Sequence, residues 1–99
     1  MKSTSVRELA ALDSPQLIDV REPFEFAPSH AVGAVNVPLA EIPAVAGLRA
    51  DQPVYVICQS GGRSARAVEI LQARGFDAVN VEGGTSAWLQ AGLPAEPAR

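Results

Sequence analysis

Cys58 is the only cysteine in a chain of 99 residues, and its neighbours suit a reactive thiol. The stretch VICQSGGRSA, residues 56–65, ends a β-branched run on that cysteine and sets two glycines and an arginine within the next five positions. A lone cysteine is most often a small hydrophobe in a core. A core residue has no use for such neighbours. Gly61 and Gly62 permit positive φ and clear side chains from the path, so the chain can curl tightly. Successive backbone N–H groups can then point inward as an anion-binding nest. A helix beginning five or six residues after the cysteine adds about half a positive charge, and Arg63 adds a full one. Such surroundings commonly lower a cysteine pKa from about 8.5 to roughly 3.5–7.5. A fall of two units favours the thiolate by about 2.7 kcal/mol. The thiolate is the attacking form.

Two chemistries use a strand, a cysteine loop, an arginine and a helix in this order. Tyrosine-phosphatase-like enzymes place five residues between Cys and Arg. Here four, Gln59 to Gly62, separate Cys58 from Arg63. The shorter loop makes a smaller bowl, better matched to one extra sulfur atom than to a tetrahedral phosphoryl group. A phosphatase also needs a general acid for its alkoxide leaving group. Sulfite, expelled from thiosulfate, is a stable anion with less need of one.

The elements around this loop alternate. Ser5-Val6-Arg7-Glu8 has the form of a capping box and opens a helix to about Leu12. Gln16 to Val20 reads as a buried strand. REPFEFAPSH is a loop or single-turn helix, broken by Pro23 and Pro28. Ala34 to Val37 is a short strand. LAEIPAVAGL is a short amphipathic piece interrupted by Pro43. Val54 to Ile57 is a strand of strong β formers. From Ser64 the period becomes helical, with Ser64, Ala67, Val68, Leu71 and Gly75 on one face. Gly75 takes the left-handed position of a Schellman ending, with Phe76 and Leu71 as its apolar pair. Ala78 to Val81 is the last strand. A final helix runs from about Thr85 to Ala91, and residues 95–99 form a loose tail. This alternation implies a mainly parallel sheet with helices on its faces. Binding groups gather beyond the carboxyl ends of such strands, where Asp19, Asn36, Cys58 and Glu82 fall.

Composition narrows the function. The chain is 47% hydrophobic and 19% charged, with net charge −3 and Lys2 as its single lysine, which argues against nucleic-acid binding through a basic surface. No run approaches the roughly 20 apolar residues of a membrane span. One cysteine forms no internal disulfide, and the N-terminus is too short and polar for a signal peptide, so a reducing cytoplasm is expected. One Cys and one His supply no metal set. The length suits a single domain over residues 1–99.

Three segments together resemble the single-domain rhodaneses, a family of thiosulfate or persulfide sulfurtransferases. LIDVREPFEFAPSHAVGAVNVPL resembles the first signature, a D-V-R-E strand end followed by a G-H-I-x-G-A-x-N-x-P segment. VYVICQSGGRS resembles the active-site strand and loop, and LQARGFDAVNVEGGTSAW the closing signature. Ser29 stands where the family usually has Gly, and Ala31-Val32 replaces Ile-Pro. The resemblance implies a rhodanese-like α/β fold, a five-stranded parallel sheet flanked by helices on both faces, with a very short first strand near Ser3-Thr4. It implies that Cys58 accepts sulfur, that Arg63 binds the anionic end of the donor, and that the amides of Gln59, Ser60, Gly61, Gly62, Arg63 and Ser64 cradle the persulfide. Ser64 is read equally as a hydrogen-bond donor to sulfur and as a helix N-terminal residue. Asp19 and Arg21 are read as structural, with a substrate contact from Arg21 the lesser alternative. Arg66 is read as a solvated helix residue, Trp88 as core, and His30 as structural, since a thiolate needs no base.

The activity expected is transfer of a sulfane sulfur from thiosulfate or a persulfide to cyanide or a thiol, without a cofactor. A thioredoxin-like or sulfur-carrier protein is a possible partner. A persulfide relay module is the alternative from another class; a small phosphatase or arsenate reductase is a third. The lone cysteine argues against a reductase with an internal resolving thiol.

Overall fold

The fold follows from which side chains each strand sends to each face. The structure, a computed structural model, describes residues 1–98. In chain order the elements are β1 (Ser3–Thr4), α1 (Val6–Ala10), β2 (Gln16–Asp19), α2 (Pro23–Phe26), β3 (His30–Ala31), β4 (Val35–Asn36), a 3-10 turn (Leu39–Ala44), β5 (Val54–Ile57), α3 (Gly62–Ala73), β6 (Ala78–Val81), α4 (Gly84–Gln90) and β7 (Ala95–Glu96). Five strands pair in the order β1-β6-β5-β2-β4, every pair parallel. This is the α/β fold that the resemblance implied, first strand included.

Successive strand residues point to opposite faces, and the two cores divide accordingly. Ile18, Val54, Val56 and Ala78 meet Ala67, Val68 and Leu71 of α3 and Ile42 of the 3-10 turn. Leu17, Ile57 and Val81 meet Val6 and Leu9 of α1 and Trp88 of α4. Each large side chain so buried contributes about 1.5–3 kcal/mol. Both faces are covered, so the strands are apolar throughout rather than alternating.

Local signals set the helix ends. Ser5 accepts from the Glu8 N–H while Glu8 accepts from the Ser5 N–H, closing the capping box. α1 stops at Ala10, two residues short of the expected end. α3 ends as the sequence predicts. Gly75 has φ +94°, its N–H bonds the Gln72 carbonyl, and the Phe76 N–H bonds the Leu71 carbonyl.

Three expectations are corrected. The tail is not loose over its first residues, because β7 pairs antiparallel with β3, His30 opposite Glu96 and Ala31 opposite Ala95. The Ala98 N–H also bonds the Ala27 carbonyl, while Arg99 lies outside the described residues. α3 begins at Gly62, not Ser64. Gly62 therefore takes no positive φ; the left-handed residue of the loop is Gly61, at φ +117°. Ser29 needs no glycine conformation either, since Ser14 alone among the described non-glycine residues has positive φ. No helix among the described residues is long and apolar enough to cross a membrane.

Candidate functional site

Cys58 directly follows the central strand β5, at the carboxyl edge of the sheet. It is 1% exposed and belongs to the core under α3. The expectation that its place lies outside the core is therefore half right. Its sulfur, however, faces polar groups. The Gly61 N–H donates to Sγ at 3.1 Å, and the Ser64 hydroxyl lies 3.2 Å from it. Burial pushes the thiol pKa up. The Ser64 hydroxyl and the N–H groups of Ser64, Gly61 and Ser60 pull it down and prevail, leaving it below its ordinary value.

The loop is held open from outside. Gly84, at φ +58°, passes so close that an added Cβ would stand 2.6 Å from the Cys58 carbonyl oxygen. Behind it, the Thr85 N–H and hydroxyl both donate to that oxygen, at 2.8 and 2.9 Å. The Ser86 N–H donates to the Gln59 carbonyl at 3.0 Å. The carbonyls of the loop's first two residues are thus tied outward to α4. The N–H groups that follow are free to turn toward the sulfur.

A second set of ties fixes the side chains. Asp19 and Arg21 form a buried pair, with Nε donating to both carboxylate oxygens at 3.1 Å and Nη2 to one at 2.9 Å. Arg21 Nη1 donates to Gln59 Oε1 at 3.2 Å, and Nη2 to the Ser29 carbonyl at 2.8 Å. Arg21 is 3% exposed and is spent on positioning, as its structural reading holds. Asn36 donates to the Asp19 and Arg21 carbonyls. Glu82 accepts from the Ser3 hydroxyl, so of the four strand-end residues it is the one engaged elsewhere. His30 stacks on Phe26 at 3.6 Å and meets its carbonyl through Nδ1 at 3.0 Å. Trp88 is buried, with Nε1 donating to the Pro94 carbonyl. Arg66 is exposed on α3.

Sequence reasoning missed two partners. Asn80 Oδ1 accepts from the Ser64 hydroxyl at 2.5 Å, holding it beside the sulfur. Ser64 has one proton, and Asn80, the Gly61 carbonyl and Cys58 all lie within its reach. Glu25 grips Arg63 bidentately, Nη1 to Oε1 at 2.6 Å and Nη2 to Oε2 at 2.9 Å. Arg63 was expected to stabilise the Cys58 thiolate; its fork is turned to Glu25, and hydrogen bonds dominate at the sulfur. The pairing lowers Glu25 from 4.5 to about 2, chiefly through the Arg63 hydrogen bond, and raises Arg63. Asn80 lies 16 positions from Ser64 and Glu25 38 from Arg63, and no local spacing signals them.

A buried thiol with N–H groups at its sulfur thus sits at the carboxyl edge of the parallel sheet of an α/β protein. Residues 4–91 match the rhodanese-like domain, and the chain belongs to that family. It is 37% identical to thiosulfate sulfurtransferase 16, chloroplastic, of Arabidopsis thaliana, over 93% of this chain and 88% of that one. It is 34% identical to a sulfurtransferase of Allochromatium vinosum, over 89% of this chain and 84% of that one. A rhodanese-related protein from Thermoplasma volcanium superposes with a TM-score of 0.89 at 35% identity, covering 97% of this chain and 98% of that one.

Proposed function

We propose that the protein is a sulfurtransferase that carries sulfane sulfur on Cys58. The observation that supports this most is the set of polar groups at Sγ: the Gly61 N–H at 3.1 Å, with the Ser60 and Ser64 N–H groups beside it, and the Ser64 hydroxyl at 3.2 Å, whose proton can turn from Asn80 to a thiolate. These groups stabilise a thiolate before attack and the charge that a persulfide carries afterwards. Cys58 thiolate attacks the outer sulfur of thiosulfate or of a persulfide. The donor's S–S bond breaks, and sulfite or a thiolate leaves with the electron pair. A cyanide or thiolate acceptor then attacks the terminal sulfur of the Cys58 persulfide. The Cys58 thiolate returns as the acceptor departs with that sulfur. Gln59, Ser60, Gly61, Gly62, Arg63 and Ser64 form the wall of the bowl in this reading. The sulfurtransferase names of the relatives at 34–37% identity agree with it.

Intact-mass measurement tests the proposal. Treatment with thiosulfate or an alkyl persulfide is expected to add one sulfur atom, and cyanide or a thiol to remove it. Cys58→Ser is expected to add none. A wild-type mass unchanged across donors, with turnover of an aryl phosphate, would overturn the reading in favour of a phosphatase. Loading only from a partner protein's persulfide would make the domain a relay.

A further inference from the structure

The carboxylate of Glu25 occupies the end-on face of the Arg63 guanidinium, where an oxyanion would meet both Nη groups. An arginine fork grips two oxygens of a carboxylate or sulfonate at once through parallel N–H donors. In Arg63 those donors, Nη1 and Nη2, end on the two oxygens of Glu25 at 2.6 and 2.9 Å. Nε–H and the outer hydrogens remain, so an oxyanion can meet Arg63 only side-on, at a guanidinium whose charge Glu25 already balances. We propose that Glu25 sets the donor class: as a built-in competitor for Arg63 it disfavours thiosulfate and favours persulfides that carry no oxyanion. This rests on the sulfurtransferase reading and names its substrate class.

Glu25 is well placed to compete. It sits on the single turn of α2, entered through Pro23, whose ring fixes φ for a helical start. The Glu22 N–H donates to Glu25 Oε1 at 3.0 Å, holding the carboxylate from behind. Its side chain is 22% exposed and that of Arg63 38%, so the pair sits at the protein surface. A tethered carboxylate competes at an effective concentration that a diffusing anion must match. Protonation does not open the fork, because Glu25 titrates only near pH 2. An alkyl persulfide escapes the competition. Cys58 thiolate attacks its outer sulfur, the S–S bond breaks, the alkyl thiolate leaves with the electron pair, and Cys58 keeps the sulfur and its proton. No step requires Arg63 to leave Glu25.

The test compares two donors in Glu25→Gln, which removes the charge and keeps the shape. Assayed at fixed ionic strength, thiosulfate KM is expected to fall about tenfold, and the ratio of kcat/KM for thiosulfate to that for a neutral alkyl persulfide to rise about tenfold. Inorganic sulfate, followed by calorimetry, is expected to bind the variant more tightly by a similar factor. Glu25→Asp, which keeps the charge but shortens the reach, is expected to lie between, and serves if the first variant folds poorly. A thiosulfate KM that stays the same or rises would overturn the proposal and make Glu25 a residue that positions Arg63 for substrate. Equal sulfate affinity in the wild type and both variants would also overturn it. Sulfate binding involves no sulfur transfer, so failure of both donors to load wild-type Cys58 sinks the functional reading alone.

Discussion

The two ends of α3 are built in opposite ways. Its C-terminus is local: Gly75 turns left-handed, and two hydrogen bonds close the Schellman ending within six residues. Its N-terminus is assembled from afar. Thr85 and Ser86 hold the loop carbonyls, Asn80 holds Ser64, Glu25 holds Arg63, and Arg21 holds Gln59. Stopping a helix needs only a backbone conformation, which one glycine supplies. Aiming several N–H groups at one sulfur needs every competing carbonyl tied elsewhere. The functional end therefore depends on the whole sheet edge, while the structural end depends on itself.

Glycine substitutions should break that contrast most strongly. At Gly84 a Cβ meets the carbonyl groups of Cys58 and Gln59 at 2.6–2.7 Å, backbone atoms that cannot swing aside. Gly84→Ala is expected to cost about 2–4 kcal/mol in denaturant unfolding. Persulfide loading of Cys58 should slow about a hundredfold, through displacement of the loop.

Ser64→Ala sharpens the functional side. It removes the strongest of the groups lowering the thiol pKa. The midpoint is expected to rise, and the alkylation rate at pH 7 to fall by up to about tenfold. Alkylation rate at pH 7 checks this, and a rate equal to the wild type would mean that the loop N–H groups suffice.

Gly75→Ala probes the other end. Its φ is also left-handed, at +94°, but nothing lies within 4 Å of the added Cβ. The cost is expected to be backbone strain alone, about 1 kcal/mol, with sulfur loading unaltered. A loading defect there would show the two ends to be coupled.

The smallest expected effect is an acid one. Glu25 is depressed in the folded state from 4.5 to about 2. Its stabilising contribution is thus present above about pH 4.5 and is lost as the pH falls toward 2. In Glu25→Gln that portion of the acid slope should vanish. Solvent screening limits the difference to about 1 kcal/mol, read from urea melts at pH 5 and 2.5.

The same contrast explains what could be read from the residues. The capping box at Ser5 and Glu8, the strands of β-branched residues and the Gly75-Phe76 ending are short-range patterns, and each appears where the spacing put it. The cysteine loop was legible because its glycines and arginine are adjacent to Cys58. Which glycine turns was not, since φ at Gly61 or Gly62 depends on where α3 begins. The Glu25 grip on Arg63 was not legible, because Glu25 lies 38 positions away. Asn80 reads as an ordinary strand residue until β6 brings it beside Ser64. The β3–β7 pairing escaped because two-residue strands carry no period to detect.

The central claim is that the hydrogen bonds at Sγ outweigh burial and hold the Cys58 thiol below its ordinary pKa. Its ultraviolet absorbance measures this directly, with no reagent needing access to a buried sulfur. A single cysteine makes the signal unambiguous, and Cys58→Ser supplies the blank. The account predicts a midpoint below the free-cysteine value of about 8.5. A midpoint at or above that value would mean that burial outweighs the hydrogen bonds, and would contradict it.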